Sequence, residues 1–304
     1  MESMSPIPSL PTEIVIKILS TALRRAIDDN EPTTTSLLNF CLVSRRWRDV
    51  VQTASELWTD IDLHWPIEQQ RTWVEQSAPR GIDVHALMEP EDHFEIIKHP
   101  SRLRSLRLLS VPLGYLEQFL GSIEGSNLDK LESIHLGCDA CSTGMAVYEL
   151  PPDFPARTPC LRAISLSALR IANLHIVAHQ LTHLEIFRST HTSEDLMQTL
   201  SLCVNLEYLS LGGLSVHGPY KQGPVIMPRL RTLLLHPYNT TYCVQLILGI
   251  SRFGPPARHL RAPQLLCFYL WYNGECDVCF TDAISDFTKE SPLLNTLGIA
   301  GMAR

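Results

Sequence analysis

Long apolar runs are missing from this chain. No stretch of about 18 consecutive apolar residues occurs, so no membrane-spanning helix is expected. The N-terminus has no basic segment ahead of an apolar one, which leaves no secretory signal to read. Basic residues are also short. Lys and Arg number 25 against 32 Asp and Glu, a formal net charge of −7. That balance argues against binding driven by nucleic-acid phosphates. Recognisable catalytic patterns are missing too. There is no Gly-x-Ser-x-Gly elbow, no Gly-Lys-Ser/Thr phosphate loop and no Gly-x-Gly-x-x-Gly turn, and the twelve histidines give no zinc-binding helix motif. Gly212-Gly213 follows a strand pattern but opens no phosphate site. No catalytic residue is therefore expected, and no cofactor.

What is present is apolar content. Hydrophobic residues make up 45% of the 304 residues, enough to bury a substantial core. Nine cysteines, an odd number, stand in a chain with no visible export signal. Reduced thiols in a cytoplasmic or nuclear protein are the simpler expectation. The Asn239-Thr240-Thr241 glycosylation pattern is then a chance match.

The first 65 residues read as helices. Pro11 suits a first helical turn, where a missing N–H costs nothing, and Glu13 favours the same helix end. Ile14, Ile18 and Leu19 recur at helical spacing and Ala22, Leu23, Ala26 and Ile27 prolong the stripe. Asp28-Asp29-Asn30-Glu31-Pro32 ends that helix, and Thr33-Thr34-Thr35-Ser36 reads as a loop. In a second helix Phe40, Val43, Trp47 and Val50 share one face, widened by Leu38, Cys41 and Leu42. Arg45, Arg46 and Arg48 flank it, and a solvated helix surface accounts for them more simply than a basic patch.

Five pieces occur in a specific order: Leu10-Pro11-x-Glu13-Ile14, Ile18-Leu19, Leu42-Val43-Ser44, Arg46-Trp47-Arg48 and Leu57-Trp58. In that order they resemble the F-box, the short helical module that joins substrate receptors to SCF-type ubiquitin ligases. The Pro11-to-Trp47 interval exceeds that of a compact F-box by roughly three helical turns at most. A longer first helix and the 29–36 loop absorb it, as in stretched fungal F-box-like proteins. The resemblance implies a Skp-type adaptor as partner and, through it, a cullin scaffold. It also implies Leu10, Pro11, Ile14, Leu42, Val43 and Trp47 as the adaptor-binding candidates, divided between internal core and interface. A module of about 50 residues buries little apolar surface by itself and gains stability from such a partner.

From Leu103 onward a unit recurs: Leu-x-x-Leu-x-Leu, or a variant with Ile or Phe. It starts at Leu103, Leu131, Leu161, Leu181, Leu206, Leu230, Leu265 and Leu294, at successive spacings of 28, 30, 20, 25, 24, 35 and 29 residues. Each unit predicts a short strand with alternate residues pointing inward. One such strand cannot bury its apolar side alone, so neighbours must stack. Leu113 to Ile123 and Ser193 to Cys203 carry helical patterns between strands, the latter read as capped at Ser193. This build resembles leucine-rich repeat proteins. The match is irregular: the Asn or Cys expected after the last strand leucine is clear only at Asn273. Pro151 to Pro155 and Gly218 to Pro228 read as surface excursions. Ile82-Asp83-Val84-His85 adds an earlier strand, and the sequence stops directly after the last unit, which suggests a truncated solenoid.

The expected fold is therefore α/β. An N-terminal helical F-box over residues 1–65 would precede an irregular leucine-rich-repeat solenoid over 66–304. The residues flanking each central leucine face the concave side and are the target-binding candidates: Arg107, His135, His183, Glu185, Tyr208, Ser210 and Tyr269. Tyr and Arg are frequent binding anchors, although any one exposed strand residue is more simply polar because it is wet.

Two Cys-x-x-Cys pairs, Cys138/Cys141 and Cys276/Cys279, would together suit a tetrahedral zinc site. Five strand rungs of about 4.8 Å hold them roughly 24 Å apart, so no shared metal is expected. A substrate receptor that binds adaptor and target proteins, with neither nucleic acid nor membrane as partner, is the leading expectation. The alternative is a leucine-rich scaffold whose F-box-like hairpin only caps the solenoid.

Overall fold

In a computed structural model the described residues are 10–28, 33–88, 98–139, 146–218, 224–236, 260–272, 284–285 and 287–301. The chain packs as two compact units, one within residues 1–85 and 90–104, the other within 86–89 and 105–304.

The first unit opens with α1 (Thr12–Asp28), α2 (Thr33–Val43) and α3 (Arg45–Thr53). Helix α1 starts one residue later than Pro11 alone implies, and the Pro11 carbonyl accepts from the N–H groups of Ile14 and Val15 at 3.1 Å. Its buried stripe is Val15, Leu19 and Leu23, spaced i, i+4, i+8, while Ile14 and Ile18 point to solvent. This corrects the expected stripe. Three consecutive apolar residues, Ile14, Val15 and Ile16, leave two possible faces, and packing against α2 and α3 chose the one through Val15. The Thr33–Ser36 segment is also corrected, because it forms the first turn of α2 instead of a loop.

The expected second helix is two helices. Ser44 breaks it with extended backbone (φ −162°), and its hydroxyl accepts from the Trp47 N–H at 3.2 Å. A serine that satisfies a helix-start N–H competes with helix continuation, which is why the break falls there. The face expected from Phe40 to Val50 is divided accordingly: Leu37, Val50 and Val51 are buried, whereas Leu38, Leu42 and Val43 are exposed.

A 3-10 turn over Ser55–Trp58 leads to β1 (Asp60–Asp62), α4 (Ile67–Gln76) and β2 (Ile82–Ala86). Strands β1 and β2 pair in parallel, Ile61 opposite Val84. Three tryptophans lock this part together. The Trp73 ring centroid lies 4.6 Å from Trp58 and 4.9 Å from Trp65, both edge-on. The Trp58 indole donates to the Val51 carbonyl at 2.7 Å, tying the cluster to α3. Buried Gln70 donates to the Leu63 and Trp65 carbonyls, so its burial is partly compensated.

The second unit is built on eight parallel strands that neighbour one another in chain order. They begin with β3 (Leu103–Val111) and β4 (Ser133–Cys138). A short β5 (Ala146–Tyr148) is followed by β6 (Ala163–Ser167), short β7 (Leu169–Ile171), β8 (His183–Phe187) and short β9 (Thr190–Thr192). Next come β10 (Tyr208–Gly212), short β11 (Ser215–His217), β12 (Val225–Ile226), β13 (Thr232–His236) and β14 (Leu260–Arg261). The last are β15 (Cys267–Tyr272) and β16 (Thr296–Gly301). The short strands pair separately, β5 with β7, β9 with β11 and β12 with β14.

The central residues of the sequence units pair directly across the main sheet: Leu106, Ile134, Ile164, Leu184, Leu209, Leu233, Phe268 and Leu297 stand side by side. All but Leu297 are buried. Each such leucine stabilises the fold by about 1.5–3 kcal/mol relative to exposure.

Four residues in or just after strands turn left-handed, at φ between 51° and 61°: Ser110 within β3 at a register shift, Ala168 after β6, Arg188 after β8 and Gly213 after β10. Three of these are not glycine, a conformation that is uncommon for other residues. Hydrogen bonds offset the strain, since Ala168 donates its N–H to the Phe187 carbonyl at 2.9 Å and Arg188 donates to Gly212 at 2.8 Å.

Helices α5 (Leu113–Ser122), α6 (Phe154–Arg157) and α7 (Ser193–Leu202) lie between strands. The cap of α7 is Thr192, whose hydroxyl accepts from the Asp195 N–H at 3.0 Å, and the Ser193 hydroxyl instead donates to the Gly218 carbonyl. The Pro151–Pro155 excursion is anchored: Leu150 and Phe154 are buried, and the Asn173 amide bridges both backbone groups of Leu150. Of the Gly218–Pro228 excursion, Val225 and Ile226 form β12. Asn239 to Thr241 and Asn273 lie outside the described residues.

Candidate functional site

The three-helix segment holds an unusual share of apolar surface. Leu42 is 77% and Leu38 61% exposed, and Ile14, Ile18 and Val43 are also exposed.

Of the sequence candidates here, Pro11, Ile14, Leu42 and Val43 are exposed and Leu10 and Trp47 half-buried. The Trp47 ring meets Phe40 edge-on at 6.3 Å, and among the described residues its buried indole N–H has no acceptor. Two of the flanking arginines prove structural instead of merely solvated. The half-buried Arg46 guanidinium donates to the Leu10 carbonyl, clamping the start of α1 to α3. Arg48 donates to the Cys41 carbonyl at 3.3 Å and braces the α2–α3 corner. No sequence signal separated these arginines from Arg45, because the contact depends on how the helices cross.

The second candidate surface is the exposed face of the main sheet. Arg107, His135, Ser165, Glu185, Ser210, Leu234, Tyr269 and Gly298 form one continuous row, each opposite the next. His183 and Tyr208 stand side by side in the adjacent row, with rings stacked at 5.7 Å and 22° between planes. All seven sequence-named residues therefore fall in two neighbouring rows, but Ser210, expected on the exposed side, is buried at 1% exposure. Phe187 and His236, which the sequence did not single out, meet at 5.5 Å on the far side of Glu185 along the strands. Gly212 allows this, because a Cβ there would lie 2.6 Å from the Phe187 ring.

Charge on this face is sparse. Burial, reinforced by Arg107, pushes the His135 pKa down, and burial does the same to His236. Burial, reinforced by the neighbouring Glu185, raises the Tyr208 phenol.

Two cysteines away from these surfaces are buried. Burial lifts Cys138 to about 11, helped by Glu117, and Cys203 to about 12, so both are protonated thiols at neutral pH. Cys141, Cys276 and Cys279 lie outside the described residues. His175 and His179 do stand at the four-residue spacing of zinc helices, but they occupy separate 3-10 turns. Among the described residues no group of His, Cys, Asp and Glu could hold a metal ion, and no helix is long and apolar enough to cross a membrane.

A comparison with curated proteins finds no match to the chain. A protein-family comparison does. Residues 7–64, which contain all three N-terminal helices and the exposed apolar surface, match the F-box-like family, and the chain carries an F-box-like domain in that segment.

Proposed function

We propose that this protein is a substrate-receptor subunit of an SCF-type ubiquitin ligase. The observation that carries the proposal is the exposed apolar surface of Ile14, Ile18, Leu38, Leu42 and Val43 on a segment that matches the F-box-like family. F-box domains generally bind Skp-type adaptors, and this surface is what such an adaptor covers. The link to a cullin scaffold follows from the adaptor.

The second unit is then the target-binding part, an irregular leucine-rich-repeat solenoid. Its support is the in-register pairing of every central residue of the repeated unit. The receptor itself performs no chemistry. It holds a target near a ubiquitin-loaded enzyme, and that proximity converts a bimolecular encounter into a nearly intramolecular one.

Co-purification of the full chain with a Skp-type adaptor tests this, beside Leu42→Asp and Val43→Asp. Both side chains are exposed, so the variants should melt like the parent while adaptor capture falls at least about tenfold, the loss of roughly 1.4 kcal/mol or more of apolar contact. No capture by the folded parent chain would sink the receptor reading and leave a leucine-rich scaffold with a helical cap.

A further inference from the structure

Resting on the target-binding reading of the exposed sheet face, we propose that Glu185 is the anchor for a Lys or Arg side chain of the target protein. Glu185 lies in the middle of the row, on β8, with β6 and β10 on either side. Its direct neighbours in the row are Ser165 and Ser210, both too short to cover a carboxylate. Along the strand, stacked His183 and Tyr208 stand on one side and Phe187 with His236 on the other. Glu185, itself half-buried, thus lies between two pairs of rings, with half-buried Ser165 on one flank and buried Ser210 on the other.

Ring surfaces around a carboxylate suit a cation. The aliphatic stem of Lys or Arg packs against rings, the charged head is drawn to their faces, and the carboxylate completes a charge-assisted hydrogen bond. No ion pair to Glu185 exists among the described residues, so the protein supplies no cation of its own there. The nearby imidazoles of His135 and His236 do not substitute, because burial keeps both biased toward the neutral form. The nearest arginine in the row is Arg107, three strands away, about 14 Å at ordinary strand spacing. The net charge of −7 favours a basic partner at longer range.

The test pans the immobilised full chain against a displayed library of random linear peptides, in parallel with Glu185→Gln and Glu185→Lys. The parent should enrich peptides with Arg or Lys at one fixed position. Glu185→Gln should weaken the best of these roughly tenfold, the loss of one charge-assisted hydrogen bond. Glu185→Lys should shift the enriched position to Asp or Glu, and where that variant fails to fold the Gln variant decides. Overturning results are a parent pool with no basic preference, no enriched peptide at all, or an affinity unchanged in Glu185→Gln. Adaptor capture by the same proteins keeps the two readings apart. Normal capture without a basic preference removes the Glu185 site alone, whereas a basic preference without capture leaves the site standing and removes the ligase-receptor reading.

Discussion

His191 shows how burial sets the behaviour of single residues here. It is buried on β9, with the Ser189 hydroxyl 2.9 Å from its Nε2. Burial, joined by Arg170 and His217 and opposed by Asp195, lowers its pKa to about 4. The unfolded chain gains a proton near pH 6.5, but the folded chain refuses it until about pH 4. Stability is therefore unaffected by this group above pH 6.5, falls as the pH drops, and has lost about 3 kcal/mol near pH 4. Denaturant melts from pH 7 to 5 should show this slope in the parent and a shallower one in His191→Asn. Equal slopes would mean that His191 does not carry the effect. None of this was legible in the sequence, where His191 is one of twelve histidines. Neither was the choice of Val15 over Ile14 for the core, since adjacent β-branched residues differ in burial only once a partner helix lies on one side.

At the scale of elements, most boundaries were readable and caps were the weak point. The helical pattern from Leu113 became α5 and the strand at Ile82 became β2, because amphipathic spacing and alternation were clear there. Capping was misread by one residue at Thr192, since Thr and Ser are both competent caps and only backbone geometry decides. The break at Ser44 is the larger case. Phe40 to Val50 does follow helical spacing, yet a cap serine inside it redirected the chain. Ser44→Ala removes the acceptor for the Trp47 N–H and should lower stability by about 1 kcal/mol in thermal or denaturant unfolding. An unchanged midpoint would show that the α2–α3 corner is held by the Arg48 contact and packing alone.

For the whole second unit, the parallel sheet predicts graded stability. Strand β10 is flanked by β8 and β13, whereas β16 pairs on one side only and leaves Leu297 and Ile299 half exposed. Amide hydrogen exchange should be slowest in β8 and β10 and fastest in β16. Uniform protection across the sheet would contradict that arrangement.

The repeated leucines by themselves determined which residues pair, because one strand per unit and period-two alternation leave little freedom once neighbours must share a core. They also determined which residues share one face of the sheet, although burial of Ser210 on it came from packing. Spacing could not say which of them act together. The stacked His183 and Tyr208 come from strands 25 residues apart in sequence, and the ring of Phe187 occupies space that a Cβ at Gly212 would need. The order of the five N-terminal motifs likewise identified an F-box-like segment, while the crossing of α1, α2 and α3 decided which of its apolar residues became core and which stayed exposed. Local pattern is written in the chain, but the face an apolar residue turns to water is a property of its neighbours.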